Sequence, residues 1–145
     1  MLAAAAGHYN RRELGDAEWA CKHLLQIEPR QPQALHLMGL IAMAKDDTRA
    51  AQGWLEQSVA VRPSPEVLVD LAAALTRNWQ LDKAVLCCRQ ALSVTPGSAE
   101  AHYNLGTALH WMKDFQGAVG SLREAVRLNP DFFAARVNLG RSLLG

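Results

Sequence analysis

Apolar residues recur at helical spacing in two consecutive segments near the carboxyl end of the chain. The second segment, from Phe115 to Leu128, has an apolar stripe made of Ala118, Leu122, Ala125, Val126 and Leu128. The segment before it, from Ala99 to Met112, carries Leu105 and Leu109 on one face. The pattern predicts two amphipathic helices joined by the turn sequence MKDF. Pro130 then ends the second helix, because proline lacks the amide hydrogen that a helix needs.

The same pattern recurs along the whole chain with a period of 33 or 34 residues. Three series of residues share this period: Ala17, Ala51, Ala84 and Ala118; Pro29, Pro63, Pro96 and Pro130; and Gly39, Ala72, Gly106 and Gly140. The period predicts a single array of helix pairs over residues 1–145. The predicted units are 1–31, which lacks the start of its first helix, 32–64, 65–98, 99–132 and a terminal helix at 133–145. One residue is missing between Pro63 and Ala72, so we expect a shorter link into the third unit.

Gly106 lies in the middle of a predicted helix, where glycine costs about 1 kcal/mol relative to alanine. We expect the missing side chain to let the partner helix approach, with Gly106 facing Ala118 where the two helices cross. A larger side chain at position 106 would push the pair apart and cost roughly 1 to 3 kcal/mol.

These repeated residues resemble the tetratricopeptide repeat, a helix-turn-helix unit of about 34 residues. The resemblance rests on the spaced small residues, alanines and prolines, and on the sequence Asn-Leu-Gly at 104–106 and 138–140. It implies an all-α fold, a right-handed α-solenoid of antiparallel helix pairs whose first helices line a concave face. A face of that kind suits a peptide or helix of a partner protein. The resemblance therefore implies a scaffold for protein–protein interaction.

On the geometry that the resemblance implies, the groove has a mixed apolar, aromatic and polar lining. The expected groove residues are His36, Leu40, Met43, Val69, Asp70, Arg77, Tyr103, Asn104, Thr107, His110, Trp111 and Asn138. Tyr103 and Trp111 are the expected anchors, because tyrosine and tryptophan dominate many interfaces. Related repeats that hold chaperone tails use a lysine and an asparagine one turn apart on the first helix. The matching positions here hold other residues, so we do not expect that sub-type.

Asn104 and Asn138 leave a second sub-type open. In O-GlcNAc transferases, a superhelical arm of such repeats lines its groove with asparagines that bond to the backbone of an extended polypeptide. The matching positions here are Leu37, Asp70, Asn104 and Asn138, which is half of such a ladder, and the asparagines also fit the generic repeat. Alternative functions are therefore a substrate-recruiting arm of a larger bacterial glycosyltransferase or sulfotransferase, and a periplasmic or envelope assembly factor.

Composition and charge limit the classes of partner and activity that we expect for this chain. The formal net charge is +1 and half of the residues are hydrophobic, which predicts neither nucleic-acid binding nor membrane insertion. Three cysteines, Cys21, Cys87 and Cys88, make an odd count that favours reduced thiols and a cytoplasmic location, with a periplasmic one open if a leader was removed. No metal-ligand spacing, phosphate loop or nucleophile motif occurs, so we expect no enzymatic activity, cofactor or metal.

The terminal helix predicts one further partner. It carries apolar residues with no following helix to cover them, namely Val137, Leu139, Leu143 and Leu144. Exposed apolar surface favours self-association, so we expect a homodimer through this helix.

Overall fold

The fold is an array of helix pairs. The computed structural model describes residues 1–145, which form nine α-helices and no strands. The helices are α1 (Leu2–Asn10), α2 (Leu14–Ile27), α3 (Pro32–Ala44), α4 (Thr48–Val61), α5 (Pro65–Arg77), α6 (Leu81–Val94), α7 (Ala99–Trp111), α8 (Phe115–Leu128) and α9 (Phe133–Leu144). The predicted all-α solenoid is confirmed. Helix α8 has the predicted bounds, whereas α7 ends one residue earlier than predicted.

Side chains that precede the helices fix where most of them begin. Five helices start with a residue whose side chain accepts a hydrogen bond from the backbone N–H three positions later. These caps are Gln31, Asp47, Ser64, Ser98 and Asp114. Pro32 and Pro65 occupy the first positions of α3 and α5, where the missing amide hydrogen leaves no bond unmade.

Each helix pair is closed by a turn that contains one residue in the left-handed backbone conformation. These residues are Arg12, Asp46, Trp79 and Lys113, with φ between 60° and 65°. The amide of the following residue then bonds back to the first helix, as Asp114 does to the Leu109 carbonyl at 2.9 Å. This arrangement satisfies carbonyls at the helix end and reverses the chain. It also explains the early end of α7, because Lys113 cannot continue the helix in this conformation.

The expected role of Gly106 is confirmed by the space around it. A Cβ atom built on Gly106 would lie 2.6 Å from Leu122 Cγ and 3.2 Å from the Ala118 backbone oxygen. Gly39 occupies the same place in the second pair, where a Cβ would lie 2.5 Å from Leu55 Cγ. Both glycines therefore let the second helix of the pair place a leucine directly against the backbone of the first.

The odd-numbered and even-numbered helices occupy different sides of the array. Each even-numbered helix packs against the odd-numbered helix that follows it. The odd-numbered helices contact each other in succession, α1 with α3 and onward to α9. No two even-numbered helices are in contact. The odd-numbered helices therefore form the inner, concave side of the array, which we call the inner face.

The core is divided into two clusters of buried apolar residues. The larger has 23 residues and extends from Ala42 to Ala135, and the smaller has seven and joins α1 and α2 to α3. Trp54 packs against both clusters. The first helix pair is therefore held to the array by a smaller core than the others.

The link into the third pair is shorter than the rest, as the sequence predicts. It has three residues, 62–64, whereas 28–31, 95–98 and 129–132 have four. Each longer link contains a backbone bond such as Ser98 N to Thr95 O at 3.2 Å. The short link has no equivalent bond.

Candidate peptide-binding groove

The inner face holds most of the predicted groove residues in partly or fully exposed positions. Arg77 and Trp111 are exposed, at the carboxyl ends of α5 and α7. The half-buried group comprises His36, Leu40, Met43, Asp70, Tyr103, Asn104, Thr107, His110 and Asn138. Val69 is buried, with 6% of its surface exposed, so its side chain offers little to a ligand.

Polar side chains on the inner face connect successive helices. His36 Nε2 lies 2.6 Å from Asp70 Oδ2, which joins α3 to α5. Asn104 Nδ2 donates to the Val69 carbonyl at 3.0 Å, which joins α5 to α7. The buried Val69 therefore contributes its backbone to the lining while its side chain packs in the core.

Asn138 likewise donates hydrogen bonds to the preceding odd-numbered helix. Asn138 Nδ2 donates to Thr107 Oγ1 at 3.1 Å and to the Tyr103 hydroxyl at 3.5 Å. His110 Nδ1 lies 2.9 Å from Ser142 Oγ, a second bond between α7 and α9. Both asparagines of the half ladder thus donate within the chain, and their Oδ1 atoms form no bond in the structure. An amide oxygen can accept a hydrogen bond from a ligand N–H.

An aromatic pair lies at the turn edge of the inner face, and sequence analysis predicted Trp111 of this pair but missed Trp79. Trp79 and Trp111 pack edge to face, with ring centroids 5.4 Å apart and planes at 73°. Their exposed fractions are 66% and 49%. Beside them is a cavity of about 410 Å³, lined by Asp46, Thr48, Thr76, Arg77, Trp79, Thr107 and Trp111. Trp79 gives no helical-periodicity signal because it lies in a turn, with φ 60°.

The other predicted anchor has a structural role. The Tyr103 ring packs against Phe132, with centroids 4.8 Å apart, and both side chains lie against the larger core cluster. Replacing Tyr103 would therefore disturb the junction between α7 and the link to α9. Trp79 and Trp111 offer more accessible indole surface than Tyr103 does.

Charge is distributed unevenly across the inner face. Glu66 and Glu100 lie in the first turns of α5 and α7 and, with Asp70, border a cavity of about 150 Å³. At the opposite edge, Arg77 pairs with Asp46 at 3.5 Å beside the tryptophans. The face thus has an acidic edge where the odd-numbered helices begin and an aromatic edge with an ion pair where they end.

A further cavity adjoins the predicted groove, since Arg77 borders it. It has a volume of about 650 Å³ and separates α4 from the turn after α5. Its amide side chains bond to one another: Gln52 to Gln80 at 3.2 Å and Asn78 to Gln52 at 2.8 Å. Asn78 also donates to the Thr48 carbonyl at 3.0 Å. These side chains form hydrogen bonds with one another and thereby link the second helix pair to the third.

The cysteines are suited to packing rather than to chemistry. All three are reduced and buried. Burial raises the pKa of Cys21 to about 11 and that of Cys88 to about 12. The pKa of Cys87 is raised by burial and by the nearby Glu56 carboxylate. A thiolate is the nucleophilic form, so none of these thiols is activated.

One group of possible metal ligands comes together at the first turn. Ligand atoms of His8, Glu13 and Asp16 lie within 4.8 Å of one another. Arg11 Nε donates to Glu13 at 3.0 Å, and His8 also bonds to this carboxylate. Hydrogen bonds from Arg11 and His8 hold the pKa of Glu13 below its usual range. Two basic side chains thus already occupy the carboxylate that a cation would need.

Comparison with known proteins identifies the repeat. Residues 99–132 match the tetratricopeptide repeat family. This segment is the α7–α8 pair with its following link, and helix pairs of the same form precede it. The family resemblance predicted from the sequence is confirmed for this segment, which is a tetratricopeptide repeat.

Two curated relatives contain segments similar to this chain. The peroxisomal targeting signal receptor of Candida albicans is 33% identical over 79 residues, which are 54% of this chain and 13% of the receptor. Protein O-mannosyl-transferase TMTC1 of Mus musculus is 25% identical over 131 residues, 87% of this chain and 14% of the transferase. The chain thus spans about a seventh of the length of either relative.

Solved structures share the whole architecture. MamA superposes with a TM-score of 0.86 and 20% identity, covering 97% of this chain and 83% of MamA. YrrB, described as a tetratricopeptide repeat protein with an unusual peptide-binding site, has a TM-score of 0.82 and 17% identity, covering 97% of this chain and 73% of YrrB. At these identities the likeness shows the fold alone. None of the nine helices combines the length and apolar character needed to cross a membrane.

Proposed function

We propose that the protein is an interaction scaffold that binds a peptide or helix of a partner protein on its inner face. The observation that carries this proposal is the exposed Trp79–Trp111 pair beside an open cavity on the concave side. A ligand that covers these half-exposed tryptophans buries a large apolar area. Tryptophan is also enriched among the residues that dominate binding energy. The peptide-binding site named for YrrB supports the same use of the fold.

Backbone strain at Trp79 is a second argument for this site. A bulky residue with φ 60° is unusual, because the left-handed conformation costs an ordinary residue roughly 1 to 2 kcal/mol relative to the right-handed one. The equivalent turns hold the charged residues Arg12, Asp46 and Lys113. A tryptophan kept in this conformation while 66% exposed stabilises no large core, so its position favours a binding role.

The distribution of charge suggests how a ligand lies. Glu66, Asp70 and Glu100 favour a basic segment at the amino-terminal edge of the inner face. The tryptophans favour an apolar or aromatic residue at the opposite edge. Between these edges, the Oδ1 atoms of Asn104 and Asn138 accept from the ligand backbone.

The test starts from a library of random peptides displayed on phage and selected against the native protein. The double variant Trp79→Ala/Trp111→Ala should bind the selected peptides about tenfold or more weakly while keeping its helical circular dichroism. Trp19→Ala is the matched control, because Trp19 is also 66% exposed but lies on α2, outside the inner face. Selected peptides that bind the double variant as tightly as the native chain would reject the groove.

A substrate-recruiting arm of a larger enzyme is the second candidate. It is favoured by the match to the O-mannosyl-transferase, which extends over 87% of this chain. The apparent size of the native protein in its source cells, measured by blotting with an antibody against this chain, separates the two. A band near 15.9 kDa supports a free scaffold, whereas a much larger band supports the arm.

A further inference from the structure

The cavity of about 650 Å³ beside α4 adjoins the tryptophans of the inner face. It is lined by nine residues of α4, of the end of α5 and of the turn that follows α5, and we call it the lateral cavity. Thr48, Arg77 and Trp79 border both the lateral cavity and the cavity of about 410 Å³ beside the tryptophans. A polypeptide that lies against Trp79 on the inner face can therefore continue into the lateral cavity.

Two arginines bring positive charge to the lateral cavity. Arg49 is exposed in the first turn of α4, and no acidic side chain pairs with it in the structure. Arg77 pairs only with Asp46, at 3.5 Å, which is longer than an ordinary hydrogen bond between charged groups. The Asp46 side chain is 83% exposed, so this pair contributes little to stability and can exchange for a ligand carboxylate. Both guanidinium groups are thus free to bind an anion.

The other polar side chains of the lateral cavity already have partners. Thr48 Oγ1 donates to Asn78 Oδ1 at 2.6 Å. Gln52 and Gln80 exchange hydrogen bonds at 3.0 and 3.2 Å, and Gln52 also donates to the Glu56 carboxylate at 2.6 Å. Two arginines and one glutamate give the lining a net charge of +1. A single carboxylate matches this charge better than a phosphoryl group, which carries about two negative charges at neutral pH.

Gly53 borders the lateral cavity and leaves space in it. It lies within α4, where glycine costs about 1 kcal/mol relative to alanine, and a Cβ built on it would meet no atom within 4 Å. Packing therefore does not require this glycine, in contrast to Gly39 and Gly106. The positions 34 residues before and 33 residues after it hold Trp19 and Leu86. A side chain of that size on α4 would enter the lateral cavity, so glycine keeps it open.

We infer that the lateral cavity binds an acidic residue of the same polypeptide that lies on the inner face, an inference that rests on the function proposed above. The carboxylate of this residue pairs with Arg49 and Arg77. A volume of about 650 Å³ corresponds to a width of roughly 10 Å, about three residues of extended chain. The acidic residue therefore lies within about three positions of the residue that contacts the tryptophans. The ligand thus carries basic, apolar and acidic residues in that spatial order across the inner face.

The test uses the peptides selected from the phage library on the native protein. Aspartate or glutamate should occur within three positions of an aromatic or large apolar residue more often than in the unselected library. Synthetic copies of these peptides, followed by fluorescence anisotropy, should bind Arg49→Glu/Arg77→Glu about tenfold or more weakly than the native protein. Copies in which lysine replaces the acidic residue should show the reverse preference and bind the charge-reversed variant more tightly.

Two pairs of variants provide the matched comparisons. Arg89→Glu/Arg123→Glu makes the same change in net charge at exposed arginines outside the lateral cavity, so it should leave binding unchanged. Gly53→Leu should weaken binding of the acidic peptides because the new side chain fills the cavity. Gly120→Leu should have no effect, because Gly120 lies in α8 and also has no atom within 4 Å of its built Cβ.

The outcomes separate this inference from the proposed function. Selected peptides that need Trp79 and Trp111 but bind the charge-reversed variant as tightly as the native protein would overturn the inference and leave the inner-face function standing. Tenfold tighter binding after phosphoserine replaces the acidic residue would also overturn it, by making a phosphorylated segment the occupant. Peptides that do not need the tryptophans, or a selection that yields no binder, would reject both.

Discussion

At the crossing point of each helix pair, the size of one side chain matches the size of the one opposite. Gly39 and Gly106 face leucines, and a single added methyl group would overlap those leucines at 2.5 and 2.6 Å. Ala5 and Ala72 occupy the equivalent places and are fully buried, and there the opposing residues are the smaller Cys21 and Cys88. Close packing explains the match, because protein cores tolerate neither a void nor an overlap at this scale.

This match predicts the stability of variants at the last crossing. Gly106→Ala should lower the free energy of unfolding by roughly 1 to 3 kcal/mol through overpacking. Adding Leu122→Cys recreates the pairing of Ala72 with Cys88, so the double variant should recover part of that loss. Urea denaturation of the two single variants and the double variant gives the coupling energy, expected at about 1 kcal/mol or more.

The control for this cycle is Gly53→Ala. Gly53 is a helical glycine in open space, so the added methyl group should raise stability by about 0.5 to 1 kcal/mol. Additive effects of Gly106→Ala and Leu122→Cys would contradict the proposed match.

Thiol reactivity is a second prediction at the residue scale. The pKa values of Cys21 and Cys88, raised to about 11 and 12 by burial, leave little thiolate near neutral pH. Ellman's reagent should therefore label the native protein slowly and label all three thiols at once in guanidinium. Rapid native labelling of any one cysteine would show that its helix pair opens readily.

For Asn104 and Asn138, the sequence predicts the position in the fold but not the hydrogen-bond partners. The resemblance placed both on the inner face, and their spacing of 34 residues gave them the same position in the repeat. Their hydrogen bonds to Val69 and Thr107 could not be predicted. Those bonds depend on the distance and rotation between one helix pair and the next, and the length of the repeat does not determine either.

The turns within the pairs determine where the first helices end. Each turn contains one residue at φ between 60° and 65°, and none of these residues is glycine. Glycine adopts this conformation without the steric penalty that a Cβ brings. The chain therefore gives up stability at each of these turns.

Replacing Lys113 by glycine should recover part of that stability. We expect an increase of about 0.5 to 1 kcal/mol in the free energy of unfolding, after the entropy that glycine adds to the unfolded chain. Trp79→Gly should also remove backbone strain, but it should weaken capture of the selected peptides. Thermal melts with peptide titrations measure both quantities, and tighter peptide capture by Trp79→Gly would contradict the binding role of this residue.

Helix positions were more predictable than turns for a physical reason. The apolar stripe of α8 gave its bounds because burial repeats with the helical period. Trp79 lies where the period is interrupted, and turn residues are usually polar, so no pattern marked it as exposed or functional. Its position becomes evident only from its contact with Trp111, which lies 32 positions later in the sequence.

For the whole molecule, the first helix pair is the least firmly attached element. It packs through the smaller core cluster of seven residues, whereas the later pairs share the cluster of 23. Glu18 of α2 pairs with Lys45 beyond the end of α3, an ion pair between the first and second pairs. Hydrogen bonds from Lys45 and then Lys22 hold the pKa of Glu18 below its usual range.

This attachment should depend on pH. A carboxyl group whose pKa is lowered by folding stabilises the folded state above its unfolded pKa and loses that effect as pH falls through the folded value. Lys45→Ala should therefore speed amide exchange in α1 and α2 at about pH 7, relative to the native chain, and this difference should shrink as the pH falls below the ordinary glutamate pKa of about 4.3. Lys22→Ala is the control, because Lys22 pairs with Glu18 within one helix. Equal effects of the two variants would contradict a linking role for Lys45.

The four tryptophans are distributed over three parts of the protein. Trp19 lies on the first pair, Trp54 lies between the two core clusters, and Trp79 and Trp111 are in contact at the edge of the inner face. Indole emission shifts to shorter wavelength when water is excluded from the ring. A ligand on the inner face would therefore change the colour of the protein's own fluorescence, and variants that keep a single tryptophan would show which region had responded.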